Sequence, residues 1–163
     1  MRKYGKKYSI DQLVETGTYH GEMIDAVKCD YNKIYTIELD HSLFEMAEKR
    51  FSSNNHITVL HGDSASILPK IMQQIEQPCL FWLDAHYSGG VTTKGDTNTP
   101  VMKELEIILS HNEFNNVILI DDARDFTGEQ DYPSINELRQ FVFGIRSELS
   151  FVDQDDIIRI CKK

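Results

Sequence analysis

No apolar stretch in this chain approaches the roughly 20 residues needed to cross a bilayer. The start, from Met1 to Ser9, is polar and basic and lacks the apolar centre of a secretion signal. Cysteine is scarce: Cys29, Cys79 and Cys161 lie far apart, with no C-x-x-C pair among them. That spacing argues against a zinc knuckle or a redox dithiol. An odd cysteine count without a signal peptide fits a reducing, cytoplasmic setting. A surplus of positive charge is also missing. With 17 Lys and Arg against 26 Asp and Glu, the formal net charge is −9. Nucleic-acid backbones select basic patches, so nucleic acid is not the expected partner. The cluster Arg2, Lys3, Lys6 and Lys7 is local and terminal, and reads as a solvated basic arm over residues 1–10. Repeats, low-complexity blocks and linkers are absent as well.

What is present is ordinary for a soluble globular protein: 163 residues, 40% hydrophobic and 26% charged. The length suits one domain with one core, spanning 1–163. Short apolar runs at 12–16, 33–39, 57–61, 79–84 and 117–121 read as strands. They are continuous rather than alternating, as expected for parallel strands buried on both faces. Helical patterns separate them, at 22–28, 41–51, 70–75, 101–110 and from 134 to about 147. Within 41–51, Leu43, Phe44, Ala47 and Phe51 form an apolar stripe. Ser42-x-x-Glu45 and Ser134-x-x-Glu137 offer capping boxes, and Pro69 and Pro100 suit helix openings. The runs 150–152 and 157–161, joined by the polar stretch 153–156, are too close for a parallel crossover and predict an antiparallel hairpin. The expected fold is α/β: a three-layer α/β/α sandwich with a mostly parallel Rossmann-like sheet, closed by a C-terminal β-hairpin.

The first run ends in Glu15-Thr16-Gly17-Thr18-Tyr19-His20-Gly21. This is neither GxGxxG nor GxxxxGK[ST], which argues against a nicotinamide cofactor and a phosphate-cradling loop. It reads either as a tight βα turn or as one that admits a ligand against its backbone. The second run ends in Glu38, an acid placed to accept bonds from both hydroxyls of a ribose. After the third come Gly62, Asp63 and Ser64, which either touch an adenine edge or cap the next turn.

These residues resemble a class I S-adenosylmethionine-dependent methyltransferase. The ordered signatures are Val14-Glu15-Thr16-Gly17 through Gly21, Tyr35-Thr36-Ile37-Glu38, Gly62-Asp63-Ser64, Phe81-Trp82-Leu83-Asp84 and Leu119-Ile120-Asp121-Asp122. The resemblance implies S-adenosylmethionine as cofactor, held by Glu15, Gly17, Thr18, Gly21, Glu38, Asp63, Ser64 and Asp84. The pattern is most similar to small-molecule O-methyltransferases of the catechol type. That likeness implies a magnesium ion held by Asp84, Asp121 and Asp122, oxygen ligands such as a hard cation takes. It also implies a small polar molecule as methyl acceptor. Those enzymes carry a lysine three residues after the strand-four acid, whereas Tyr87 stands here. The catalytic pair expected instead is His86, as base, with Asp84. The long Gly- and Thr-rich stretch 87–100 reads either as a substrate loop, with Lys94 and Asp96 meeting a polar ligand, or as a disordered surface loop. Arg124 is placed near an anionic group.

Other functions fit the same scaffold. A metal-dependent hydrolase or hydroxylase would use the same acids as ligands, and a nucleoside-binding module would use only the glycine turn and Glu38. About 11 residues precede the first strand, fewer than catechol-type relatives use to cover their substrate. A sheet face left open this way could pair with a second copy to form a homodimer.

Overall fold

The computed structural model describes residues 1–85, 99–111 and 113–163. Its strands are β1 (Gln12–Thr16), β2 (Lys33–Glu38), β3 (Ile57–His61), β4 (Cys79–Leu83), β5 (Val117–Ile120), β6 (Leu149–Gln154) and β7 (Ile157–Lys162). The helices are α1 (Arg2–Tyr8), α2 (Glu22–Val27), α3 (His41–Phe51), α4 (Ser64–Met72), α5 (Val101–Ser110) and α6 (Ile135–Ile145). All seven strands join one sheet in the order β3-β2-β1-β4-β5-β7-β6. The first five run parallel, and β7 enters antiparallel between β5 and β6.

The continuous apolar runs end up buried on both faces, and alternate side chains serve different layers. Val14, Phe81 and Ile118 face one layer with Leu68 of α4, Leu105 of α5 and Leu138 of α6. Leu13, Ile34 and Leu80 face the other, with Ile24 of α2 and Phe51 of α3. The expected three-layer sandwich and its closing hairpin are therefore what forms.

Several local expectations are corrected. The basic arm is not a free tail: it folds as α1, with Tyr4 and Tyr8 against the core and Arg2 paired with Asp30 at 2.6 Å. Apolar contact from the tyrosines outweighs the solvation of the lysines. Helix α3 is capped by Asp40, whose carboxylate accepts from the Ser42 and Leu43 amides, and not by a Ser42–Glu45 box. Helix α4 begins at Ser64 rather than after Pro69, which lies inside it. Asp63 starts it early by accepting from the Ser66 amide at 2.9 Å, so the proline falls where its missing N–H removes a single helical bond. The capping box at Ser134 and Glu137 is present as expected.

The strand order reverses between β1 and β4. In open α/β sheets the crevice beyond the carboxyl ends at such a switch point is where ligands bind.

Candidate functional site at the carboxyl edge of the sheet

The carboxyl ends of the parallel strands are held level by backbone bonds just past the ladders. Gly17 N–H donates to Ile37 O at 3.0 Å, Gly62 to Glu38 O at 2.9 Å, Asp84 to Thr16 O at 3.0 Å and Asp121 to Leu83 O at 3.1 Å. The predicted site residues on these strand ends therefore share one edge.

Gly17 is the tightest point. It has φ +84°, and a Cβ there would lie 2.5 Å from the Asp84 carbonyl oxygen. Only glycine combines that backbone conformation with so close an approach. Gly21, φ +75°, opens α2, and a Cβ on it would meet the Phe51 ring at 2.8 Å. The turn between them is locked from below. Thr18 Oγ1 lies 2.6 Å from Thr36 Oγ1, which in turn donates to Glu15 Oε2 at 2.5 Å. Tyr19 adopts φ +48°, unusual for a non-glycine residue. Its amide donates to Glu38 Oε2 at 2.8 Å, while the Asp40 amide donates to Oε1 at 2.9 Å. Glu38 is buried, each oxygen engaged once among the described residues, which leaves each a lone pair for a further donor. The acid thus fixes the turn and remains able to take a diol.

Asp63 is exposed and caps α4 through Ser66, the capping alternative; Ser64 beside it is buried. Asp84, Asp121 and Asp122 do converge. One carboxylate oxygen from each lies within 4.8 Å of the others, close enough for one divalent ion. Arg124 is occupied within this group: its guanidinium pairs with Asp122 at 2.6 Å and also with Asp156. These carboxylates raise its already high pKa. His86, Tyr87, Lys94 and Asp96 lie outside the described residues.

Two features escaped the sequence reading. Glu15, expected to hold the cofactor, is only 1% exposed at the end of β1 and accepts from the Thr36 hydroxyl. Burial pushes its carboxyl up to about 8, against the Thr36 bond and helped by the Asp84 and Glu38 charges. Glu104 was not anticipated at all. It is 1% exposed and sits in the buried stripe of α5 with Val101, Leu105 and Ile108. An acid at an apolar position of an i, i+3, i+4 stripe is the signal that would have found it. Burial pushes it up to about 7, with Asp63 adding to the rise. Among the described residues, Glu104 Oε1 and Thr16 Oγ1 have no hydrogen-bond partner. Glu104 also borders a small cavity with Ala85, Thr99, Asp121 and Phe126. No helix among the described residues is long and apolar enough to cross a membrane.

The sequence matches no protein-family model and no curated protein. Solved structures do match. An O-methyltransferase from Bacillus cereus in complex with S-adenosylhomocysteine superposes with TM-score 0.73 at 15% identity, covering 99% of this chain and 78% of that one. A Podospora anserina methyltransferase bound to the same product gives 0.66 at 17% identity, covering 99% and 76%. The 23S rRNA methyltransferase ErmE gives 0.56 at 15%, covering 93% and 61%. With the switch-point crevice and the seven-stranded order, these likenesses establish that the chain has the fold of class I S-adenosylmethionine-dependent methyltransferases.

Proposed function

We propose that the protein is an S-adenosylmethionine-dependent methyltransferase that O-methylates a small polar molecule. One observation carries the reading: Gly17, with no room for a side chain, brings the β1 turn against the Asp84 backbone at the switch point, directly beside the buried Glu38. Backbone approach on one side and a diol-accepting acid on the other are what a sulfonium nucleoside requires. When bound, that nucleoside supplies the methyl group. The chain's own residues do the rest. Gly17 and Gly21 let the amino-acid end lie against the turn, and Glu38 takes the ribose hydroxyls. Asp63 and Ser64 border the base, and Asp84 faces the acceptor side. Rate then comes chiefly from holding donor and acceptor in line.

The acid trio Asp84, Asp121 and Asp122 fits a magnesium ion, which would lower the pKa of an acceptor hydroxyl. His86 is retained as the proposed base. The net charge of −9 supports a small-molecule acceptor over nucleic acid. The direct experiment is calorimetric titration with S-adenosylhomocysteine, with and without magnesium. Saturable binding that Glu38→Ala removes is the expected result; no binding under either condition sinks the proposal.

A further inference from the structure

The site edge carries two carboxyl groups that no cation among the described residues answers. Glu15, on the α2/α3 side of β1, receives a bond from the Thr36 hydroxyl. Glu104 reaches in from the opposite face, its Oε1 without a partner among the described residues. Both are 1% exposed, and neither takes part in an ion pair there. The charged groups facing Glu15 are Asp84, past the end of β4, and Glu38 of β2; the one facing Glu104 is Asp63, before α4. Thr36, Thr16 and Ser64, the other groups around them, are neutral. Among the described residues each acid therefore meets only negative charge.

An ionised carboxylate buried without a counter-charge is strongly disfavoured. Near neutrality the free protein consequently holds Glu15, pushed up to about 8, mostly protonated and Glu104, pushed up to about 7, protonated in about half the molecules. A cation arriving at this edge would reverse the balance, because opposite charge favours the ionised form.

We propose that Glu15 and Glu104 are the counter-charge for a cationic ligand at the sheet edge, so that the site tells a sulfonium nucleoside from its neutral thioether product by charge. Protons leave the acids when the first binds and stay when the second does. This rests on the nucleoside reading above. The two ligands share adenosine and amino-acid portions, so their common contacts cancel in the comparison; what remains is one methyl group and one positive charge. The Glu15–Thr36–Thr18 chain gives the charge a direct route to the glycine turn.

The test is calorimetry on the full chain with a chelator present, from pH 6 to 9, using S-adenosylmethionine and S-adenosylhomocysteine as probes. Two buffers of different ionisation enthalpy count the protons released. The ratio of affinities, methylated over demethylated, is expected to climb by up to about tenfold per pH unit for each proton released. It should level off once both acids are ionised in the free protein. Glu15→Gln combined with Glu104→Gln should flatten the climb and remove the excess proton release. A ratio independent of pH in the native chain overturns the inference, as does an unchanged slope in the double variant. Should that variant not fold, equal proton counts for the two probes in the native chain overturn it alone. A native chain that binds neither probe removes the nucleoside reading itself, an outcome distinct from a measured but flat ratio.

Discussion

The β1–β2 half of the site edge and the β4–β5 half are built by different means. The first is a backbone device. Gly17 and Gly21 adopt positive φ, and the Tyr19 and Asp40 amides are gathered by one buried carboxylate. The second is a side-chain device: three half-buried aspartates with oxygens within 4.8 Å, one already shared with Arg124. Backbone geometry tolerates little change, because a new atom has nowhere to go. Carboxylates at an open end can be exchanged while the fold persists. The two halves should therefore fail differently.

The largest effect is expected at Gly17. Gly17→Ala would combine a strained backbone with a Cβ 2.5 Å from a carbonyl oxygen. Together these should cost about 3 kcal/mol in urea unfolding and abolish S-adenosylhomocysteine binding. An alanine variant of native stability would show that the turn is not rigid. Glu38→Ala comes next. It strands the Tyr19 and Asp40 amides, with an expected loss of about 1–3 kcal/mol. Nucleoside affinity should fall more than the stability change explains.

The buried acids give a smaller, graded effect with a definite sign. Glu15 and Glu104 sit above their ordinary value of 4.5 in the folded chain. Between 4.5 and the folded values the native state holds more protons than the unfolded one, so stability falls as pH rises. The stabilisation is complete below pH 4.5 and is lost progressively up to about pH 7 to 8. Each acid contributes a slope of up to about 1.4 kcal/mol per pH unit. Glu104→Gln should flatten this decline below about pH 7 in urea melts taken from pH 5 to 8, leaving the part above it, which belongs to Glu15, in place. An unaltered slope would mean that Glu104 does not titrate as placed.

The smallest effect concerns the second half alone. Arg124 is exposed, so Arg124→Ala should leave the melting temperature nearly unchanged. Freeing Asp122 from its guanidinium should tighten manganese binding a few-fold by calorimetry. Weaker binding would place the ion away from Asp122.

The halves also differed in how legible they were. Val14 to Gly21 and Tyr35 to Glu38 could be read directly, because a buried parallel strand ending in a glycine turn or an acid leaves a local pattern. Asp84, Asp121 and Asp122 were readable as strand ends, yet Arg124's partner was not, since Asp156 comes from the distant β6–β7 turn. Helix α4 was misplaced because Pro69 is a stronger local signal than the Asp63 cap that overrides it. Glu104 was missed although the helical stripe of α5 marks it as an inward-facing acid; what the stripe does not disclose is that α5 packs it against Thr16 and Ser64 at the sheet edge. Docking of α1 depends likewise on Tyr4 and Tyr8 finding the sheet, a tertiary event invisible in a basic nonapeptide.

The contact at Gly17 has a consequence for how this scaffold could change over generations. Because the glycine abuts main-chain atoms of residue 84, no replacement of that aspartate's side chain can make room for a larger residue at 17. Position 84 is therefore free to drift toward other chemistries while position 17 stays frozen. Mutational searches for altered acceptors should begin at 84, 121 and 122, and lineages that lose the glycine should have lost the donor first.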